Sequence, residues 1–216
     1  MLRQTPDKFY SLAIVDPPYG INFAKTHTGP GWVERPSKNW DAAIPDALFF
    51  TELRRVSVNQ IVWGGNYMTE HLPPSMGWVF WDKGQRDFSL ADGEMAWTSF
   101  DRATRVFEMS RGAANQEGKI HPTQKPVALY RWLLKNYAKP GQRILDTHLG
   151  SGSIAIACDL EGFDLVGCEI DADYIAGARK RLADHQAQPR LFDMPRPTVE
   201  QLTLDTDAPS KDAEAA

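Results

Sequence analysis

The stretch Ile144-Leu145-Asp146-Thr147-His148-Leu149-Gly150-Ser151-Gly152-Ser153 passes from a short apolar run, through two closely spaced glycines, into a helix-forming segment. Such a run reads as the end of a buried strand, and the glycines permit a tight strand-to-helix turn with close backbone approach by a ligand. Working outward, a helix is expected from Ser151 to Gly162 with Ile154 and Cys158 inward. Leu165-Val166-Gly167-Cys168 follows as a strand, and after Asp171 a second helix carries Tyr174, Ala178 and Leu182 on one face. Upstream, Leu12 to Val15, Gln60 to Trp63 and Trp78 to Trp81 are further apolar runs of strand length. Pro45 opens a helical pattern with Phe49, Leu53 and Val56. Pro126 opens another with Val127, Tyr130, Leu134 and Tyr137, and Pro140-Gly141 stops it. Alternating strands and helices predict an open, mostly parallel α/β sheet of Rossmann-like type. The segments Met95 to Ser99 and Thr104 to Met109, joined at Asp101-Arg102, predict an antiparallel hairpin at its edge.

Ligands of such sheets sit beyond the carboxyl ends of the strands, which directs attention to two places. One is the glycine turn. Gly150, Gly152 and Ala155 have the form G-x-G-x-x-A, and Glu169, ending the next strand, is placed to receive ribose hydroxyls, so a nicotinamide-dependent oxidoreductase is one reading. Asp146 argues for another. A carboxylate in this turn repels a pyrophosphate, yet favours the ammonium and sulfonium of S-adenosylmethionine. A P-loop is excluded, because no Gly-Lys-Ser/Thr ending is present. The second place is Asp16-Pro17-Pro18-Tyr19, after the strand ending at Val15. Two consecutive prolines remove two backbone donors and fix an extended turn, leaving the Pro17 carbonyl free beside a carboxylate and an aromatic ring. An Asp-Pro turn with an exposed tyrosine is the plain structural alternative.

Together these motifs resemble the beta group of the amino DNA methyltransferases, in which Asp-Pro-Pro-Tyr forms the catalytic loop and precedes the cofactor motif in circular order. His121-Pro122-Thr123-Gln124-Lys125-Pro126, before a helix and the cofactor strand, is similar to that group's cofactor-carboxylate motif. Trp63-Gly64-Gly65-Asn66 and Trp81-Asp82-Lys83 resemble compact phage-type members. The resemblance spans roughly residues 8 to 185 and departs from the family at Asp146-Thr147-His148, where Asp-Pro-Phe is common. It implies a single S-adenosylmethionine-dependent methyltransferase domain over residues 1–186, with DNA as the substrate. Asp16, Pro17, Pro18 and Tyr19 would be catalytic. The cofactor would be held by Asp16, His121, Thr123, Lys125, Asp146, Gly150, Ser151, Gly152 and Glu169: Thr123 and Lys125 at its carboxylate, Glu169 at its ribose, Asp146 at its amino-acid end. Asp16 and the Pro17 carbonyl would accept the two N–H groups of an adenine N6 amine, with Tyr19 stacked on a base flipped from the duplex. Cytosine N4 obeys the same logic. In the family resembled, an initial Asp goes with adenine and an initial Ser with cytosine, so the resemblance implies adenine. RNA as substrate and a catalytically silent cofactor-binding subunit are further readings, although a silent subunit is expected to have lost Asp16 or Tyr19.

Formal charge is −4, and the segment from Thr198 onward carries all of it. Between residues 102 and 143 nine basic residues face only Glu108 and Glu117, which reads either as a phosphate-facing stripe or as a solvated helix face. Recognition elements are expected in 20–40, where Lys25, Arg35 and Lys38 either close over the base or form a solvated loop, and in 83–120. Residues 187–216 read as a flexible acidic tail. Cys158 and Cys168 are expected to be reduced core residues. The five histidines fit no metal spacing, so no metal is expected. The polar N-terminus and the absence of a membrane-length apolar run point to the cytoplasm, and the family resemblance suggests a homodimer.

Overall fold

A computed structural model describes residues 1–21, 41–86, 91–116 and 123–188. Among the described residues, seven strands form one sheet: β1 (Tyr10–Val15), β2 (Ser57–Trp63), β3 (Trp78–Asp82), β4 (Gly93–Thr98), β5 (Arg105–Glu108), β6 (Arg143–Asp146) and β7 (Asp164–Gly167). Their spatial order is β5-β3-β4-β2-β1-β6-β7. Every pairing is parallel except those of β4, which runs against both β2 and β3.

The expected edge hairpin is therefore corrected. β4 and β5 do run in opposite directions, but β3 lies between them and pairs with each. The reversed strand is internal, and β5 forms the edge. The alternating pattern reports half-buried strands and cannot say which neighbour they pair with. β5 fits an edge, because Arg105, Val106 and Glu108 are exposed.

Period-two alternation sorts the central strands into two cores. Leu12 and Ile14 of β1 join Ile61 and Trp63 on one face. That face is covered by α3 (Val127–Tyr137) and α4 (Ser153–Glu161). Ala13 and Val15 join Val62 and Leu145 on the other, which is covered by α1 (Ala47–Val56) through Phe50, Leu53 and Val56; Tyr10, at the start of β1, packs with this second core out of the alternation. Asp46 caps α1 by accepting from the Phe49 amide at 2.9 Å. α4 is buried from Ser153 to Asp159, and Gly162 ends it in the left-handed region at φ 78°. One further turn, α2 (Arg111–Asn115), was not evident in the sequence. The last helix of the described residues, α5 (Ala172–Ala187), starts at the cap Asp171 and buries only Ala178. No helix of the described residues is long and apolar enough to cross a membrane.

The basic run does not form one free stripe. Lys125 is buried, Arg131 and Lys135 share Glu161, Arg102 lies over the Tyr137 ring and Arg143 over Phe9. Both cysteines are free thiols, but only Cys158 is fully buried. Residues 22–40 of the recognition loop expected at 20–40, the segments 87–90 and 117–122 of that expected at 83–120, and residues 189–216 of the tail expected at 187–216 lie outside the described residues.

Candidate active site

β1 and β6 are parallel neighbours, with Leu12 opposite Ile144 and Ala13 opposite Leu145. Both loops of interest therefore leave the same edge of the sheet, and the carboxylates Asp16 and Asp146 fall on one side of it.

Asp16 is held on both oxygens. Its Oδ2 lies 2.6 Å from the Lys125 ammonium, and its Oδ1 accepts from the Tyr19 hydroxyl at 2.7 Å. Lys125 also meets Glu94 Oε2 at 3.1 Å and donates to the Tyr19 oxygen at 3.1 Å. Glu94, on β4, pairs in turn with Lys83. The ring of Trp63 lies 5.1 Å from the Lys125 ammonium. Burial pushes the Asp16 carboxyl above its usual range, opposed by Lys125 and aided by Glu94. For Glu94 burial acts in the same direction, but Lys125 and Lys83 overcome it and hold the group at about 2. Lys125 is disfavoured by burial yet raised on balance by Asp16 and Glu94, so it is an ammonium. Burial and then the two carboxylates keep the Tyr19 phenol protonated, which makes it a donor.

The loop around Tyr19 is fixed from outside the motif. Asp41 accepts from the Tyr19 amide at 2.7 Å and the Gly20 amide at 3.0 Å. The Tyr19 ring stacks on Tyr67 at 5.2 Å and lies against Gly64, where an added Cβ would stand 2.2 Å from Tyr19 Cε1. Gly64 also has φ 67°, so position and conformation both require glycine.

On the β6 side, Gly150 and Gly152 have φ 50° and 71°. The Glu169 carboxylate joins the turn to the start of α5, accepting from the Gly150 amide at 2.8 Å and the Asp171 amide at 2.9 Å. Each of its oxygens keeps a further lone pair. Asp146 is 1% exposed, and burial raises its carboxyl to about 8. The His148 amide, donating to it at 2.9 Å, opposes that rise, and Asp16 and Glu169 add to it. His148 itself is neutral, lowered to about 4 by burial. Tyr130 of α3 is buried close enough to Asp16 and Asp146 that, after burial, both raise its phenol.

The structure brings together Asp16, Pro17, Pro18, Tyr19, Lys125, Asp146, Gly150, Gly152 and Glu169 at this edge. Two expected ligands have other partners. The Ser151 hydroxyl is 3.1 Å from that of Ser153, and Arg181 bonds to the Ser151 carbonyl at 3.2 Å and to the Ser153 hydroxyl at 2.7 Å, so Ser151 is engaged by Ser153 and Arg181. Lys125, assigned by resemblance to the cofactor carboxylate, is engaged by Asp16 and Glu94. Thr123 is half-buried just before Lys125, and His121 lies outside the described residues. Sequence reasoning missed Glu94, Tyr67 and Tyr130. The only signal for Glu94 was a carboxylate inside an otherwise apolar alternating strand. Tyr130 read as a core residue.

Residues 96–180 match a protein family described as DNA methylase. Type II methyltransferase M.HpaI of Haemophilus parainfluenzae is 37% identical over 68 residues, 32% of this chain and 22% of that protein. Type II methyltransferase M2.DpnII of Streptococcus pneumoniae is 37% identical over 62 residues, 29% of this chain and 23% of that protein. The matched stretch thus spans less than a quarter of either relative. Among solved structures, the M1.HpyAVI complex with S-adenosylmethionine aligns with a TM-score of 0.53 at 18% identity, covering 81% of this chain and 89% of that one. The PvuII DNA methyltransferase, described as cytosine-N4-specific, aligns at 0.55 with 12% identity over 83% of this chain and 82% of the other. The fold is shared with these proteins, and the similarity to amino DNA methyltransferases stands on the sequence matches.

Proposed function

We propose, from a chain related to the amino DNA methyltransferases, that this protein transfers a methyl group from S-adenosylmethionine to the exocyclic N6 amine of adenine in DNA. The observation that carries the proposal is the meeting of Asp16 and Asp146 at one sheet edge, one in a rigid proline loop and the other under a glycine turn. The donor set suits the cofactor. Asp146 is a buried carboxyl that gains from a nearby cation, Glu169 has lone pairs for ribose hydroxyls, and Ile170 beside it is 99% exposed and offers an apolar face. When bound, the cofactor supplies an electrophilic methyl group on a sulfonium.

The chain's own residues supply the rest. An aromatic amine is a weak nucleophile because its lone pair is delocalised into the ring. Asp16 and the Pro17 carbonyl, each an acceptor fixed by the proline loop, take the two N–H groups and localise that lone pair on nitrogen. Asp16 then receives the proton released by the methylated amine. Tyr19 and Tyr67 form an aromatic wall for a base taken out of the stack, a step required because the amine is otherwise paired. Asp16→Ala is expected to lower methyl transfer by at least about 10²–10⁴-fold, while calorimetry with S-adenosylhomocysteine still shows binding. Retained turnover would remove Asp16 from the mechanism.

Cytosine N4 is the second reading, because the same fold occurs in a cytosine-N4-specific enzyme. Asp16 at the head of the motif favours adenine.

A further inference from the structure

We infer that Lys125 is the buried counter-ion that keeps Asp16 ionised, held in place by Glu94, and is not a ligand of the cofactor carboxylate. The inference rests on the proposed role of Asp16 as an acceptor and deepens it, by naming the positioning residues on which that acceptor depends.

An ammonium has three N–H donors and no acceptor. Lys125 has three oxygen partners at hydrogen-bond distance: Asp16 Oδ2 at 2.6 Å, Glu94 Oε2 at 3.1 Å and the Tyr19 oxygen at 3.1 Å. Its donors are therefore used up. The side chain is only 1% exposed and passes the Trp63 ring, so there is neither a spare proton nor an open path toward a carboxylate brought by a ligand. Its position before α3 in the sequence is what associates it with the cofactor. Its direction in space, across to β1 and β4, associates it with the acceptor.

The placement answers a physical difficulty. A carboxylate removed from water reverts to its neutral acid unless a cation stands beside it, and a neutral Asp16 could accept neither the amine N–H nor the released proton as well as its anion does. Among the described residues, the groups facing Asp16 are Tyr19 from its own loop, Glu94 from β4, Lys125 and Tyr130 from α3 and its entry, and Asp146 from β6. Lys125 is the one cation among them. Glu94 anchors its far side, and Lys83 in turn neutralises Glu94. Two cations and two anions thus alternate as Lys83, Glu94, Lys125 and Asp16.

The test follows the Asp16 carboxyl by carbon-13 NMR titration, and binding of S-adenosylhomocysteine by calorimetry, in wild type, Lys125→Met and Lys125→Gln. The glutamine variant keeps hydrogen-bond donors to Asp16 while removing the charge, and reports if the methionine variant fails to fold. The expected result is an Asp16 titration moved upward by at least about one pH unit, a tenfold change in its proton affinity, with S-adenosylhomocysteine affinity within about threefold of wild type. The acid limb of any methyl-transfer profile moves up by the same interval. An unmoved Asp16 titration, or a tenfold or greater loss of S-adenosylhomocysteine affinity, would overturn the inference. Neither readout needs turnover, so failure of the wild type to methylate any nucleic acid contradicts the proposed function separately.

Discussion

Asp146 carries a proton in the folded protein up to about pH 8, because burial penalises its anion more than the His148 amide favours it. A carboxyl raised in the folded state makes folding less favourable as pH climbs from its ordinary value toward 8, since the unfolded chain has already lost the proton. Asp146→Asn is therefore expected to raise the unfolding midpoint by at least about 2–4 °C at pH 8, with little change at pH 4. An equal effect at both values would contradict the assignment. The same proton bears on function. If Asp146 faces the cationic end of the cofactor, its anion is favoured on binding, so calorimetry at pH 7 in buffers of different ionisation enthalpy should show release of about one proton. Asp146→Asn should at the same time bind the cofactor more weakly, which makes this residue a place where stability is given up for binding.

The Asp16 to Tyr19 loop is rigid because other segments hold it. Gly64 follows β2 in a left-handed conformation and leaves no room between its Cα and the Tyr19 ring. Gly64→Ala must displace that ring or distort the turn, and a cost of about 1–3 kcal/mol in stability is expected, with a fall in kcat larger than the change in cofactor affinity. Unchanged kcat would show that the Tyr19 position does not matter. How much of this was legible in the sequence differs by element. β1, β6, β7, α3 and α4 were readable because buried runs and helix punctuation are local signals. The Asp16 and Gly150 turns were readable because strand ends in such sheets are where ligands sit. The β3, β4 and β5 arrangement was not, because alternation gives the face of a strand but not its neighbour. Glu94 was missed for the same reason. Its importance comes from β4 lying against β2 and β3, which brings it to Lys83 and Lys125, and nothing within β4 announces that.

Two cores on opposite faces of one sheet fix the relation of Asp16 to Asp146, since both follow strands paired in a single register. α3 serves both stability and the site, burying Leu133 and Leu134 while its entry carries Lys125. Leu133→Ala is expected to cost about 2–5 kcal/mol, read as a lower midpoint in urea. Val58→Ala, on a half-exposed side chain of β2, should stay within about 0.5 kcal/mol. Equal costs would contradict the assignment of the core. Methyl transfer is read directly by incubating the purified protein with labelled S-adenosylmethionine and unmethylated duplex DNA, then digesting to nucleosides for mass spectrometry. N6-methyladenine is the expected product, lost in Asp16→Ala. N4-methylcytosine in its place would contradict the choice of base, and no methylated base in any DNA despite cofactor binding would contradict the proposed activity itself.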